Sequence, residues 1–169
     1  METSQRFLDN GNGTIKDTKT NLMWIKNDSF QDLKVFVGFD TAQKHSAQKY
    51  LESKNKEAFA GYSDWRFPNK QEAQSLYILE SAIKDSYGMD IHLDSVFPPG
   101  GGFNTWTSNT RGKITAFVFS FSNGTGAHKE VDSSLNTSVR LVRTDGVAVP
   151  LVDKIPPPPQ DFGRIGSWR

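Results

Sequence analysis

The sequence predicts one α+β domain of two helices and a mostly antiparallel sheet, and three observations carry that reading. Two stretches, about 40–59 and 69–80, repeat apolar residues at helical spacing; Asn-Gly turns separate short strand-like runs near the N-terminus; three more strand-like runs follow in the second half. At 169 residues, 36% of them hydrophobic, the chain can bury one sizeable core.

Taken in order, "RFLDNGNGTIKDTKTNLMWIK" holds two or three short strands ending at Trp24, because Asn10-Gly11 and Asn12-Gly13 readily take the positive φ of hairpin turns. Asp9 and Asp17 could instead supply oxygens to a calcium loop. Gly11 and Gly13, however, stand where an EF-hand needs side-chain ligands, and no bidentate Glu follows, so a hairpin is favoured. From Asp40 to about Phe59, Ala47, Tyr50, Leu51 and Ala58 mark a helix face, with Asp40 and Gln43 as a capping pair. Its other face carries Lys44, His45, Lys49, Lys54 and Lys56, read as a solvated surface.

"GYSDWRFPNKQEAQSL" is denser. Gly61 stops the first helix, "YSDWRF" is extended, and Pro68 with Asn69 launches a second helix for which Glu72 completes a capping box. Ala73, Leu76, Tyr77 and Glu80 then recur at helical spacing. Trp65 and Arg66 sit at this strand-to-helix corner, where a buried indole and an Arg fork on carbonyls or carboxylates would pin it; ligand contact is the alternative.

Beyond Ile83 the prolines and glycines of "KDSYGMDIHLDSVFPPGGGFN" argue for a long loop, with Gly100 to Gly102 as a flexible turn. The strand-like runs "FNTWTSN", "KITAFVFSFSNG" and "SVRLVRT" follow. In the middle run, Ile114, Ala116 and Val118 face one way and Phe117, Phe119 and Phe121 the other, which predicts a central strand covered on both sides. We divide the chain into a domain at 1–145 and a proline-rich tail at 146–169. Four consecutive prolines favour an extended rod that carries Phe162, Ile165 and Trp168 to a groove on the same or a neighbouring subunit; disorder is the competing reading.

Composition narrows the function. Lys and Arg number 20 against 19 Asp and Glu, so no global field recruits nucleic acid or an anionic membrane. No apolar run is long enough to cross a bilayer, and "METSQRFLDN" lacks a basic-then-apolar signal pattern. The absence of cysteine removes disulfides, thiol nucleophiles and zinc-thiolate sites. His45, His92 and His128 are scattered, with no metal-binding spacing and no GxSxG, so neither a catalytic residue nor a metal or other cofactor is expected.

The blocks "DNGNGTIKDTKTNLMW", "GYSDWRFPNKQEAQSL", "TWTSN", "FVFSFSNG" and "VRLVR", in this order, resemble the Lcl C-terminal domain family, the adhesin domain of a bacterial collagen-like protein. The likeness runs from about Arg6 to Arg143. It implies a compact α+β domain related to the C-type-lectin-like and formylglycine-generating-enzyme folds. It also implies a secreted or surface-attached protein that trimerises and binds sulfated glycosaminoglycans. Relatives carry a cysteine in the first helix and another in a strand written VRCVR; here Leu51 and Leu141 stand at those positions, so they should meet in the core as an apolar replacement. That departure weakens the case for an oxidising compartment and leaves a cytoplasmic location open.

In lectin-like folds the ligand surface is built from long loops and adjoining strands, here 89–113 and the turn at 122–129. Asn104, Trp106, Asn109, Arg111 and Lys113, with His128 and Lys129 nearby, would offer an aromatic platform flanked by amide and basic donors for a sugar and its sulfate or carboxylate groups. Trp106 reads equally as a core residue. Arg140 and Arg143 form another candidate basic pair, which paired carboxylates would also explain. The leading reading is a non-catalytic, adhesin-like glycan-binding module. An enzyme of the formylglycine-generating kind is disfavoured because that chemistry uses thiols. An assembly module of a surface or phage-like particle, docking through its tail, is the alternative.

Overall fold

The computed structural model describes residues 5–151, so the tail beyond Leu151 lies outside the described residues. Strands β1 (Phe7–Asp9), β2 (Thr14–Asp17) and β3 (Leu22–Ile25) form an antiparallel meander. The Asn-Gly turn is the hairpin its sequence predicts: Gly11 and Gly13 take φ of 77° and 88°. The two aspartates are engaged by cations of the chain itself, Asp9 by Lys26 at 2.6 Å and Asp17 by the Arg6 fork at 2.8 Å.

Among the described residues, three short α-helices stand where two were expected. The sequence reading missed α1 (Ser29–Leu33), although Asp28 and Gln31 form a full capping box at its start. Helix α2 (Ala47–Lys56) begins seven residues after Asp40, capped by Ser46 through Lys49 N at 3.1 Å rather than by Asp40 and Gln43. The preceding segment cannot be helical because Gly38 bridges Ser46 and Phe39 N donates to Val131 O at 2.7 Å. After α2, Ala58 and Ala60 adopt left-handed backbone around a single 3-10 turn. Helix α3 (Lys70–Ser75) starts at Asn69 with Glu72 as its capping partner, as predicted, but ends five residues before Glu80.

The segment read as a long loop is a packed part of the core. It contains a small hairpin, β4 (Ile83–Lys84) with β5 (Asp90–Ile91), and then buries Leu93 and Phe97 completely. Strands β6 (Asn104–Arg111), β7 (Thr115–Ser120) and β8 (Gly126–Glu130) make a three-stranded antiparallel sheet. Of "SVRLVRT", only β9 (Val142–Thr144) joins a ladder, and it pairs with β3 in the first sheet.

Both sheets are covered on both faces. Along β7, Phe117 and Phe119, with Phe121 beyond, enter one apolar cluster, while Ala116 and Val118 enter a second. Along β3, Leu22 and Trp24 go to the first cluster, Met23 and Ile25 to the second. The alternation read from the sequence thus holds, except that Ile114 lies in the turn before β7 and is 72% exposed.

Gly101 and Gly102 are a close-packing device and not a flexible turn, whereas Gly100, with open space around it, supplies a φ of 97°. Gly102 N donates to Asp28 Oδ2 at 2.7 Å, and a Cβ on Gly102 would lie 2.1 Å from Ser138 Oγ. A Cβ on Gly101 would lie 3.0 Å from the same carboxylate. Only backbone fits between these groups. Gly102→Ala is therefore expected to lower unfolding free energy by about 2 kcal/mol or more through overpacking, read from the urea midpoint.

Candidate functional site

The register of the three-stranded sheet decides which sequence candidates can act together. Arg111 pairs with Thr115, Thr115 with Glu130, and Phe117 with His128, so Arg111, Phe117 and His128 share one face at the open end of the sheet. The His128 ring meets the Phe117 ring edge-on at 5.6 Å, and Lys70 Nζ from the start of α3 lies 5.6 Å from the same phenyl ring. Lys113 is exposed in the β6–β7 turn beside them, where Gly112 supplies a φ of 57°. The result is a group of basic side chains over a buried phenyl ring, with the exposed Glu130, the partner of Thr115, on the same face.

The electrostatics agree with this grouping. Burial, then the positive charges of Arg111 and Lys70, hold the His128 imidazole below its ordinary value. The imidazole is therefore mainly neutral at pH 7. Lys129 pairs with Ala116 and so points to the opposite face, where burial lowers its pKa. It does not join this group.

The remaining candidates have structural partners. Trp106 is fully buried against Phe39, ring centroids 5.5 Å apart, and its Nε1 donates to Val37 O at 3.0 Å. It serves the core, so its ring gives a ligand no platform. Asn104 is also buried, donating to Asn136 O at 2.9 Å and accepting from Ser138 N at 3.2 Å. Asn109 Oδ1 accepts from Lys70 N at 2.9 Å, which fastens the start of α3 to β6 and positions Lys70.

The strand-to-helix corner is built as the sequence suggests. Trp65 is buried, donates Nε1 to Phe59 O at 3.1 Å, and has its backbone clasped by Asn55 at 2.8 and 2.9 Å. The Arg66 fork grips both Glu72 oxygens at 2.7 and 2.8 Å and reaches Thr144 Oγ1 at 2.8 Å. Trp24 is fully buried in the first core cluster. Leu141 is buried in the second cluster, and Leu51 packs half-buried against that cluster.

Arg140 and Arg143 are both committed. Arg140 is buried over the Phe97 ring, its charge acting on Asp28, and donates to Lys26 O at 3.0 Å. Arg143 lies 3.8 Å over the Tyr62 ring and holds Asp64 at 2.7 Å and Asp145 at 3.3 Å. Lys70 is the residue of the basic group that sequence reasoning missed. The capping box located it at the start of a helix, but nothing local could show that α3 meets β6 and β7.

A family model described as the Lcl C-terminal domain matches residues 13–143. No curated protein and no solved structure matches the chain. Because Trp106 acts through the core, Trp106→Phe should lose the bond to Val37 and about 1 kcal/mol of stability. Thermal unfolding should register that loss while ligand affinity stays unchanged.

Proposed function

The chain belongs to the Lcl C-terminal domain family, which is adhesin-related, and from that premise we propose a non-catalytic module that binds sulfated glycans. The observation that carries the reading is that Arg111 and His128 share one face of the three-stranded sheet, with Lys70 beside His128 over Phe117 and Lys113 exposed in the adjoining turn. A sulfate ester keeps its negative charge at any physiological pH and presents acceptor oxygens that match an Arg fork. The sulfate groups of a glycan can meet these exposed cations, while Phe117, buried beneath them, holds His128 and Lys70 in place. In this reading the sheet and its turns serve as the ligand face of a lectin-like fold. Individual sites of this exposed kind are weak, and display in several copies makes them useful.

His128 gives the interaction a pH signature. Burial first, and then Arg111 and Lys70, lower its affinity for a proton in the free protein. A bound sulfate offsets those charges and raises it again, so binding takes up a proton. Affinity for a sulfated oligosaccharide should thus rise from pH 7.5 to pH 5.5, by up to about tenfold for a shift of one pK unit. His128→Gln should flatten that dependence in isothermal titration calorimetry.

Heparin oligosaccharide and its desulfated counterpart provide the direct test. The sulfated form should bind, more weakly as salt rises from low to physiological concentration, and the desulfated form should not. Arg111→Ala should weaken binding about fivefold, the roughly 1 kcal/mol of an exposed charge pair. Equal binding of both forms, or none of either, would contradict the reading.

A further inference from the structure

A groove of about 520 Å³ opens at the C-terminal end of α3. That volume falls within the range of about 300–1,000 Å³ typical of ligand sites. Gln71, Gln74 and Tyr77 line it from α3 and the turn that follows, and Lys19 lines it from the β2–β3 turn. Among the described residues, the side chains of Lys19, Gln71 and Gln74 make no hydrogen bond or ion pair. Arg6, at the same groove, is by contrast held by Asp17 and by Ser75 O. Three unused donors face one hollow beside a half-buried tyrosine ring. That set suits a sugar, whose hydroxyls and acidic groups meet amides and an ammonium while its C–H face meets the phenol.

The groove and the basic face at the start of α3 lie along one line of contacts. Lys70 stands over the Phe117 ring, and Tyr77 meets the Phe119 ring edge-on, centroids 6.3 Å apart. These two phenylalanines are alternate residues of β7 and share one of its faces. From the strand side, His128 pairs with Phe117, and Gly124 in the β7–β8 turn lies so close to Tyr77 that a Cβ would come within 2.9 Å of its ring. From the helix side, Gln74 lies one turn beyond Lys70 on the same face. Tyr77 N then donates to Gln74 O at 3.0 Å, which carries the course on to the tyrosine. By helix rise, Lys70 and Tyr77 are about 10 Å apart. A disaccharide fills one end of this path; a hexasaccharide reaches both.

Resting on the sulfated-glycan reading, we propose that the groove is a second saccharide subsite and that α3 carries one glycan chain across both. Sulfates meet the Arg111–His128–Lys70 face, and hydroxyls with one acidic group meet Lys19, Gln71 and Gln74 in the groove. Glu80 also lines the groove. A carboxylate accepts from a hydroxyl and repels a sulfate, so a hydroxyl belongs beside it.

Heparin-derived disaccharide and hexasaccharide, titrated calorimetrically into the full-length protein, test the second subsite. The hexasaccharide should bind about tenfold more tightly, because linked subsites reinforce each other. Lys19→Ala/Gln74→Ala should bring the hexasaccharide affinity down to that of the disaccharide, whereas Arg111→Ala should weaken both. In nuclear magnetic resonance spectra the Gln71 and Gln74 side-chain amides should shift when the hexasaccharide binds. Equal affinity for the two lengths, a length advantage that survives Lys19→Ala/Gln74→Ala, or unmoved amides would overturn the second subsite. If Arg111→Ala still weakened binding in that case, the sheet face would stand as the glycan site. Binding of neither length would overturn the sheet face and the second subsite together.

Discussion

Asp28 is the residue on which three distant parts of the chain converge. One carboxylate oxygen caps α1 through Gln31 N at 2.9 Å; the other takes Gly102 N at 2.7 Å, across 74 residues of sequence. Ser138 and the charge of Arg140 approach from the segment leading into β9. Burial pushes the carboxyl up, countered first by Arg140 and then by these hydrogen bonds. A buried carboxylate is tolerable only with such partners. The glycines at 101 and 102 then follow as a consequence, because any side chain there would displace the groups that stabilise the charge.

This anchorage explains how a chain with few residues in regular elements acquires two complete cores. The 94–103 segment has almost no ladder bonding, yet Phe97 and Phe103 are buried in the first cluster, held by contacts such as Gln31 with the carbonyls of Pro98 and Pro99 at 3.2 and 3.1 Å. With one face of each sheet closed by that segment and the other by α2 and its neighbours, most of the candidate polar and aromatic residues are consumed internally. The open end of the three-stranded sheet keeps Arg111 and His128 on one face beside Lys70. The α3 helix links this surface to the rest: Asn109 holds its start, Arg66 holds Glu72 within it, and the groove lies at its far end.

Local chemistry was legible in the sequence; distant convergence was not. Asn69 with Glu72, the Asn-Gly hairpin and the two-faced pattern of β7 each depend on residues within a few positions of one another, and each was read correctly. Asp40 and Gln43 had the right residue types for a cap, but the pairing of Phe39 and Gly38 with distant backbone overrode them. Gly101 and Gly102 read as part of a turn because their partners, Asp28 and Ser138, lie far away in sequence. The same limit applies to the site. Arg111 and His128 share a face, Lys70 beside them has no local signal, and Lys129 lies on the opposite face, because a strand residue's face depends on a register that composition does not carry.

The central structural claim is that a buried Asp28, hydrogen-bonded by Gln31 N and Gly102 N, holds the 94–103 segment against the core. Urea unfolding of Asp28→Asn tests it most directly, since the substitution keeps shape but leaves the buried Arg140 charge without its counter-charge and one backbone N–H without an acceptor. The account predicts a loss of about 3–5 kcal/mol, with faster amide exchange at Gly102 and Gln31. A variant within 1 kcal/mol of the parent, with those amides still protected, would contradict it.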